Sequence, residues 1–208
     1  MLEVPVYNTD GKKIETLKVD EAIFGGEVNV DLVKQAVVAY HANKRQGSAK
    51  TKSRAEISAT TKRMYRQKGT GNARHGAKSV NLMRGGGNTF AKRPRDFGKK
   101  FPRKMRKAAL ASAILAKLLG NDLCVVDGLK LDSPKTQTIS TLMEKLEINR
   151  TCLLAMSERN DNIYLSSRNI VDITVRITAE LNAYDVATRQ KMVVTSDAMK
   201  ALCGQEGN

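Results

Sequence analysis

Between His41 and Lys107 the chain carries 21 Lys/Arg and two acids, Glu56 and Asp96, a local excess of +19. The other 141 residues hold 15 Lys/Arg and 19 acids, an excess of −4, so one continuous segment supplies all of the net charge of +15. That density opposes an independent fold. Like charges repel, and eight of the fifteen glycines lie in the same segment, adding backbone entropy that folding must overcome. From Arg45 to Lys104 only 15 of 60 residues are apolar, too few for a separate core. A structureless loop this long is also far outside the ordinary range for a compact domain. The economical reading is a segment ordered by a polyanion, with released counterions offsetting the ordering cost. The plainer alternatives are a disordered basic linker or a solvated lysine-rich face, and a solvated face needs neither the clustered glycines nor the near-absence of acids. A membrane-binding segment would bring a long amphipathic helix or a dense aromatic set, and this one has neither.

The remainder is patterned to fold. Apolar residues make up 41% of the chain, yet no run of about 18 uncharged apolar residues suggests a membrane span. Two short strands are expected, Val4–Tyr7 and Lys13–Val19, around the turn signal Asn8-Thr9-Asp10-Gly11. Asn29 or Asp31 is placed to cap a helix running to about Asn43, with the stripe Leu32, Val33, Ala36, Val37 and Tyr40. Pro102 precedes a second helix, Arg103–Leu119, striped by Leu110, Ile114 and Leu118. Its first turns carry Arg103, Lys104, Arg106 and Lys107, unfavourable at a helix N-terminus and a sign of negative charge nearby. Further strands are expected at Leu123–Val126, Thr151–Met156, Val171–Val175 and Met192–Thr195. A helix is expected over Thr136–Leu146, and a last one over Asp197–Leu202 capped by Ser196; Leu181–Ala187 reads equally as helix or strand. This predicts an α/β globular domain with a largely parallel sheet and a long basic extended loop inserted between two helices. Residues 1–43 and 103–208 form the domain, and 44–102 the loop.

Candidate chemistry is sparse. No GxxxxGK[ST] follows a strand and no GxGxxG opens a helix, so neither Gly69-Thr70-Gly71 nor Gly85-Gly86-Gly87 reads as a nucleotide loop. These glycines instead suit tight turns and close backbone approach to a surface without room for Cβ atoms. Cys124, Cys152 and Cys203 are odd in number and lack CxxC spacing, which argues against a disulfide scaffold and structural zinc. Catalytic, cofactor-binding and metal-ligating residues are therefore expected to be absent, and no cofactor is implied.

The basic segment is more informative. Arg45, Lys50, Lys52 and Arg54 are interleaved with glycine and small hydroxyl residues, suiting contact with phosphate and ribose. Lys62, Arg63, Arg66 and Lys68 form its densest group, and Lys78 and Lys92 extend the charge. Arg74, Arg84, Arg93 and Arg95 are the candidates for bidentate phosphate contact and base stacking. Tyr65 is read as stacking on exposed bases of a folded RNA; Phe90 is a further candidate, and Phe97 and Phe101 suit either stacking or anchoring. His75 is placed to stack or to bond phosphate. Asp96 either pairs with Arg93 or Arg95 or makes an ordinary surface contact.

KGTGNARHG at 68–76, MRGGG at 83–87 and RPRDF at 93–97 resemble the bacterial-type family of large ribosomal subunit protein four. RQGSAKTKSR at 45–54, MYRQKGTG at 64–71, FPRKMRKAALASAI at 101–114, SSRNI at 166–170 and ELNAYDV at 180–186 extend the resemblance over nearly the whole chain. It implies a structural protein that binds large-subunit rRNA, supports early assembly and helps line the nascent-peptide exit tunnel. The implied partners are rRNA, neighbouring large-subunit proteins and the nascent peptide, with no membrane and no homo-oligomer. The implied location is cytoplasmic, in the large subunit. By motif correspondence Lys62, Arg66, Lys68, Gly69, Gly71, Arg74 and Gly76 fall at the loop tip, and Arg84 with Gly85, Gly86 and Gly87 on the returning arm. Asn72 departs from the family's frequent arginine, as do Asn81-Leu82-Met83 from the usual proline and aromatic before RGGG. The alternative from another class is an RNA-modifying enzyme with a basic substrate-binding arm.

Overall fold

The computed structural model describes residues 1–204. Two compact units divide the chain, one made of Met1–His41 with the residues from Lys99 onward, the other of Ala42–Gly98. The first unit is an α/β domain around a six-stranded sheet of order β2-β1-β3-β6-β4-β5. Its strands are β1 (Leu2–Tyr7), β2 (Lys13–Val19), β3 (Leu123–Val126), β4 (Cys152–Met156), β5 (Ile173–Ile177) and β6 (Lys191–Thr195). The β1–β2 hairpin is antiparallel and every other pairing is parallel.

Burial on both faces explains the unbroken apolar runs. Along β4, Leu153 and Ala155 enter one core while Cys152, Leu154 and Met156 enter the other. Met192 and Val194 of β6 likewise oppose Val193. Helices α1 (Val30–Asn43), α2 (Arg103–Leu119), α5 (Ala183–Thr188) and α6 (Ser196–Leu202) contribute to the first core. Helices α3 (Thr136–Lys145) and α4 (Asp161–Ser167) close the second. In α2, Ala109, Ala113, Ile114, Leu115 and Leu118 are buried, a face repeating at the helical period. Burial pushes the Cys152 thiol up to about 12 and Cys124 to about 11, consistent with inert core cysteines.

Several boundaries differ from the sequence expectation. The fifth strand is Ile173–Ile177, two residues later than Val171–Val175, because its register is set by pairing Cys152 with Ile173, leaving Val171 90% exposed. Thr195, not Ser196, caps α6, its hydroxyl accepting from the Ala198 N–H at 3.3 Å; the Ser196 hydroxyl donates to Asp127 Oδ1 at 2.6 Å. Asn29 accepts from the Leu32 N–H at 2.9 Å, supporting the first of the two proposed caps. Asn182 caps α5 through the Asp185 N–H, so the ambiguous stretch is partly helical. Its partner Asp185 is buried and meets Arg176 Nε at 2.9 Å.

Candidate nucleic-acid interface

With so few apolar side chains, Ala42–Gly98 is organised by backbone and local polar contacts. Among the described residues it contains no helix or strand beyond the end of α1, and one isolated antiparallel bridge, Arg63 with Ala77. Cross-chain hydrogen bonds form successive rungs. Arg95 N donates to Gly47 O at 3.1 Å, Thr51 N to Lys92 O at 3.0 Å and Asn88 N to Lys52 O at 3.0 Å. The Thr51 hydroxyl also accepts from Lys92 N at 2.7 Å, and Met64 N donates to Gly76 O at 3.2 Å. Every rung joins residues nearly equidistant from Thr70, so this unit is an out-and-back segment turning between Tyr65 and His75.

The glycines separate into two kinds. A Cβ on Gly86 would overlap the Val80 carbonyl oxygen, and one on Gly87 would overlap the Arg54 backbone nitrogen. Close approach there is to the chain's own backbone, whereas the sequence reading attributed it to a partner surface. Gly71 has φ +69° with open space where a side chain would stand; Gly69 and Gly85 are also left-handed. These are turn glycines, exposed at the surface.

The predicted cations are brought to the surface without exception. Lys52, Arg54, Lys62, Lys68, Arg74, Lys78, Arg84, Lys92 and Arg93 are all exposed. Others also hold the loop. Arg63 donates to the Gln67 side chain, and Arg66 to Gly69 O at 3.1 Å. The Arg45 and Arg95 guanidiniums lie 3.7 and 4.3 Å from the Phe97 ring centroid, so Phe97 serves as a cation–π anchor. Tyr65 donates its hydroxyl to Ala73 O and meets His75 edge-on at 6.3 Å, joining the two sides of the turn. Phe90, 95% exposed, presents its ring to solvent.

The two acids act locally. Asp96 accepts from the Gly98 N–H at 2.7 Å; among the described residues it makes no ion pair with Arg93 or Arg95. Glu56, to which the sequence reading gave no role, accepts from Ser53 N–H at 3.0 Å and pairs with Lys50 Nζ at 3.0 Å. These contacts, the Ser53 N–H first, lower its carboxyl to about 2. The signal was legible: Ser53-x-x-Glu56 has capping-box spacing, here closing a turn.

Arg103 belongs to the other unit, in the first turn of α2 with Lys104 and Arg106. Pro102 offers no side-chain cap there, and Arg106 Nε donates to Phe101 O at 2.9 Å. Phe101 packs against the first core, settling its role as an anchor. Exposed guanidiniums and ammoniums on a mostly non-repetitive backbone suit contact with many phosphates. Among the described residues no group of three or more His, Cys, Asp or Glu is arranged to hold a metal, and no helix is long and apolar enough to cross a membrane.

The model of the ribosomal protein L4/L1 family matches residues 17–205. A protein called large ribosomal subunit protein uL4 from Symbiobacterium thermophilum is 43% identical over 199 residues, covering 96% of each chain. Proteins of the same name from Lachnoclostridium phytofermentans and Lachnospira eligens are 38% and 40% identical over 202 residues, covering 97% of this chain and 98% of theirs.

Proposed function

This chain belongs to the bacterial-type ribosomal protein L4/L1 family, and from that premise we propose that its cationic out-and-back segment is what holds the RNA. The protein is a structural, rRNA-binding constituent of the large ribosomal subunit and not an enzyme. The RNA-modifying alternative gives way to that family membership. The observation that carries the assignment of the segment is its surface: exposed Arg and Lys on paired arms whose acids are occupied within the chain.

The mechanism is charge neutralisation with fixed spacing. Lys62, Lys68, Arg74 and Arg84 contact phosphates; Arg66 does so while holding Gly69. Gly71 lets the turn pass close to RNA, and Phe90 offers a face for a base. Gly86 and Gly87 bring the returning arm against Arg54, setting the distance between cations on the two arms. Arg103 and its neighbours meet RNA phosphate at the start of α2, where phosphate also complements the helix dipole. The domain of residues 1–43 and 103–208 anchors the loop of 44–102. Together they support early assembly, and the turn near Thr70 helps line the peptide exit tunnel beside the nascent chain. Neighbouring large-subunit proteins share this cytoplasmic particle.

Reconstitution of large subunits with the full chain or with a variant lacking residues 45–100 tests this. The variant is expected to keep the circular dichroism of the α/β domain and to yield particles that sediment abnormally. Normal particles with an unchanged tunnel would refute the role given to the segment.

A further inference from the structure

We infer that Leu82 is an apolar wedge that enters between two unstacked bases of the bound RNA. Three consecutive turns carry it. Val80 N donates to Ala77 O at 3.4 Å, Met83 N to Val80 O at 3.1 Å and Gly86 N to Met83 O at 2.9 Å. Gly87 N then donates to Ser79 O at 3.1 Å and closes residues 79–87 into a ring. Ser79 and Gly87 are buried where the ring closes. The Asn81 side-chain amide donates to the Thr89 hydroxyl at 2.6 Å, tying the ring to the chain that leaves it.

Within the ring the apolar side chains divide. Val80 and Met83 are half-buried, whereas Leu82 between them is 87% exposed. A single exposed leucine on a protein surface is ordinary. This one stands on backbone that is hydrogen-bonded on both sides, so the cost of holding it outward is met before any partner arrives.

Charge decides what the wedge meets. From Ile57 to Arg95 the chain holds ten Lys/Arg and no acid. Lys78 and Arg84 flank Leu82, and Lys92 and Arg93 follow Phe90; all four cations are exposed. A partner that covers Leu82 must therefore accept positive charge and an apolar side chain at one place. An unpaired step in folded RNA offers both, with phosphates at its margin and base faces inside, and leucine and phenylalanine are side chains that wedge into base steps. One leucine is also far too little to form the core of a protein–protein interface. The inference rests on the RNA contact proposed for this segment and adds to it a contact without charge, which salt does not screen.

The test measures binding of the full chain to a large-subunit rRNA transcript at several salt concentrations. Leu82→Ser should weaken binding about fivefold or more at every salt concentration and leave the salt slope unchanged, while Leu82→Met should stay within about twofold of the parent. Leu82 touches no core, so both variants should keep the parent's circular dichroism and thermal unfolding. In assembled large subunits, Leu82→p-benzoylphenylalanine should cross-link to rRNA on illumination. Parental affinity of Leu82→Ser would refute the wedge, as would a salt slope altered by that variant or a methionine variant as weak as the serine one. A cross-link to a neighbouring protein in place of rRNA would overturn it in favour of a protein pocket. Failure of the parent chain to bind the transcript would overturn the proposed function itself, whereas parental binding with an unaffected Leu82→Ser variant would remove the wedge alone.

Discussion

The Ser53 backbone N–H points at the Glu56 carboxylate, 3.0 Å away, while the other carboxylate oxygen meets Lys50 Nζ at the same distance. A negative charge is thereby spent inside the most basic part of the chain, turning a repulsive neighbourhood into a closed turn.

Glu56 should titrate abnormally. Its carboxyl is lowered from 4.5 to about 2, so the clasp's contribution is fully present above the unfolded value and lost as pH falls through the folded one. Carbon-detected NMR should place the Glu56 midpoint near 2, with the turn opening between 4.5 and 2. A midpoint near 4.5 would show that the clasp does not persist in solution.

RNA affinity should fall linearly with salt on a logarithmic plot. Replacing Lys62, Lys68, Arg74 or Arg84 with alanine should reduce that slope by roughly 0.7 to 0.9 for each phosphate contact removed. Filter binding at several salt concentrations measures it. Slopes unchanged in all four variants would remove these residues from the interface.

Glycine replacements should divide by environment. Gly87→Ala drives a methyl into the Arg54 backbone and should cost more than about 1 kcal/mol of loop ordering, weakening RNA about fivefold or more. Gly76→Ala meets open space at an ordinary backbone conformation and should bind nearly as the parent does. Equal affinities for the two variants would contradict the close packing of the returning arm.

Core and interface should be separable. Leu153 is fully buried in the central β4, and Leu153→Ala should cost about 2–5 kcal/mol in thermal or denaturant unfolding. Below its unfolding transition the variant should bind RNA with the parent's salt slope. A changed slope would mean that the sheet itself contacts RNA.

How much was legible varies with the range of the interaction. Helix α2 was readable to the residue because Pro102, the alanine-rich stripe and Leu118 all act within a few turns. Strand β5 was placed two residues early because Val171 is as strand-favouring as Ile177, and only pairing with β4 distinguishes them. Tyr65 and Phe97 were visible as aromatics in a basic segment, but their partners Ala73, His75, Arg45 and Arg95 depend on the path of the return.

The amino-acid order alone determined where charge accumulates, which stretches must be buried, and that one long segment has too little apolar surface to make its own core. Those are properties of composition and short-range periodicity. Tertiary structure decided that β6 inserts between β3 and β4, that Gly86 and Gly87 are needed by the chain's own backbone, and that Ile14, Val125 and Met199 meet around one groove. Each of these depends on residues distant in sequence meeting at one place, and the energy of such a meeting is set by register and packing that no local pattern encodes.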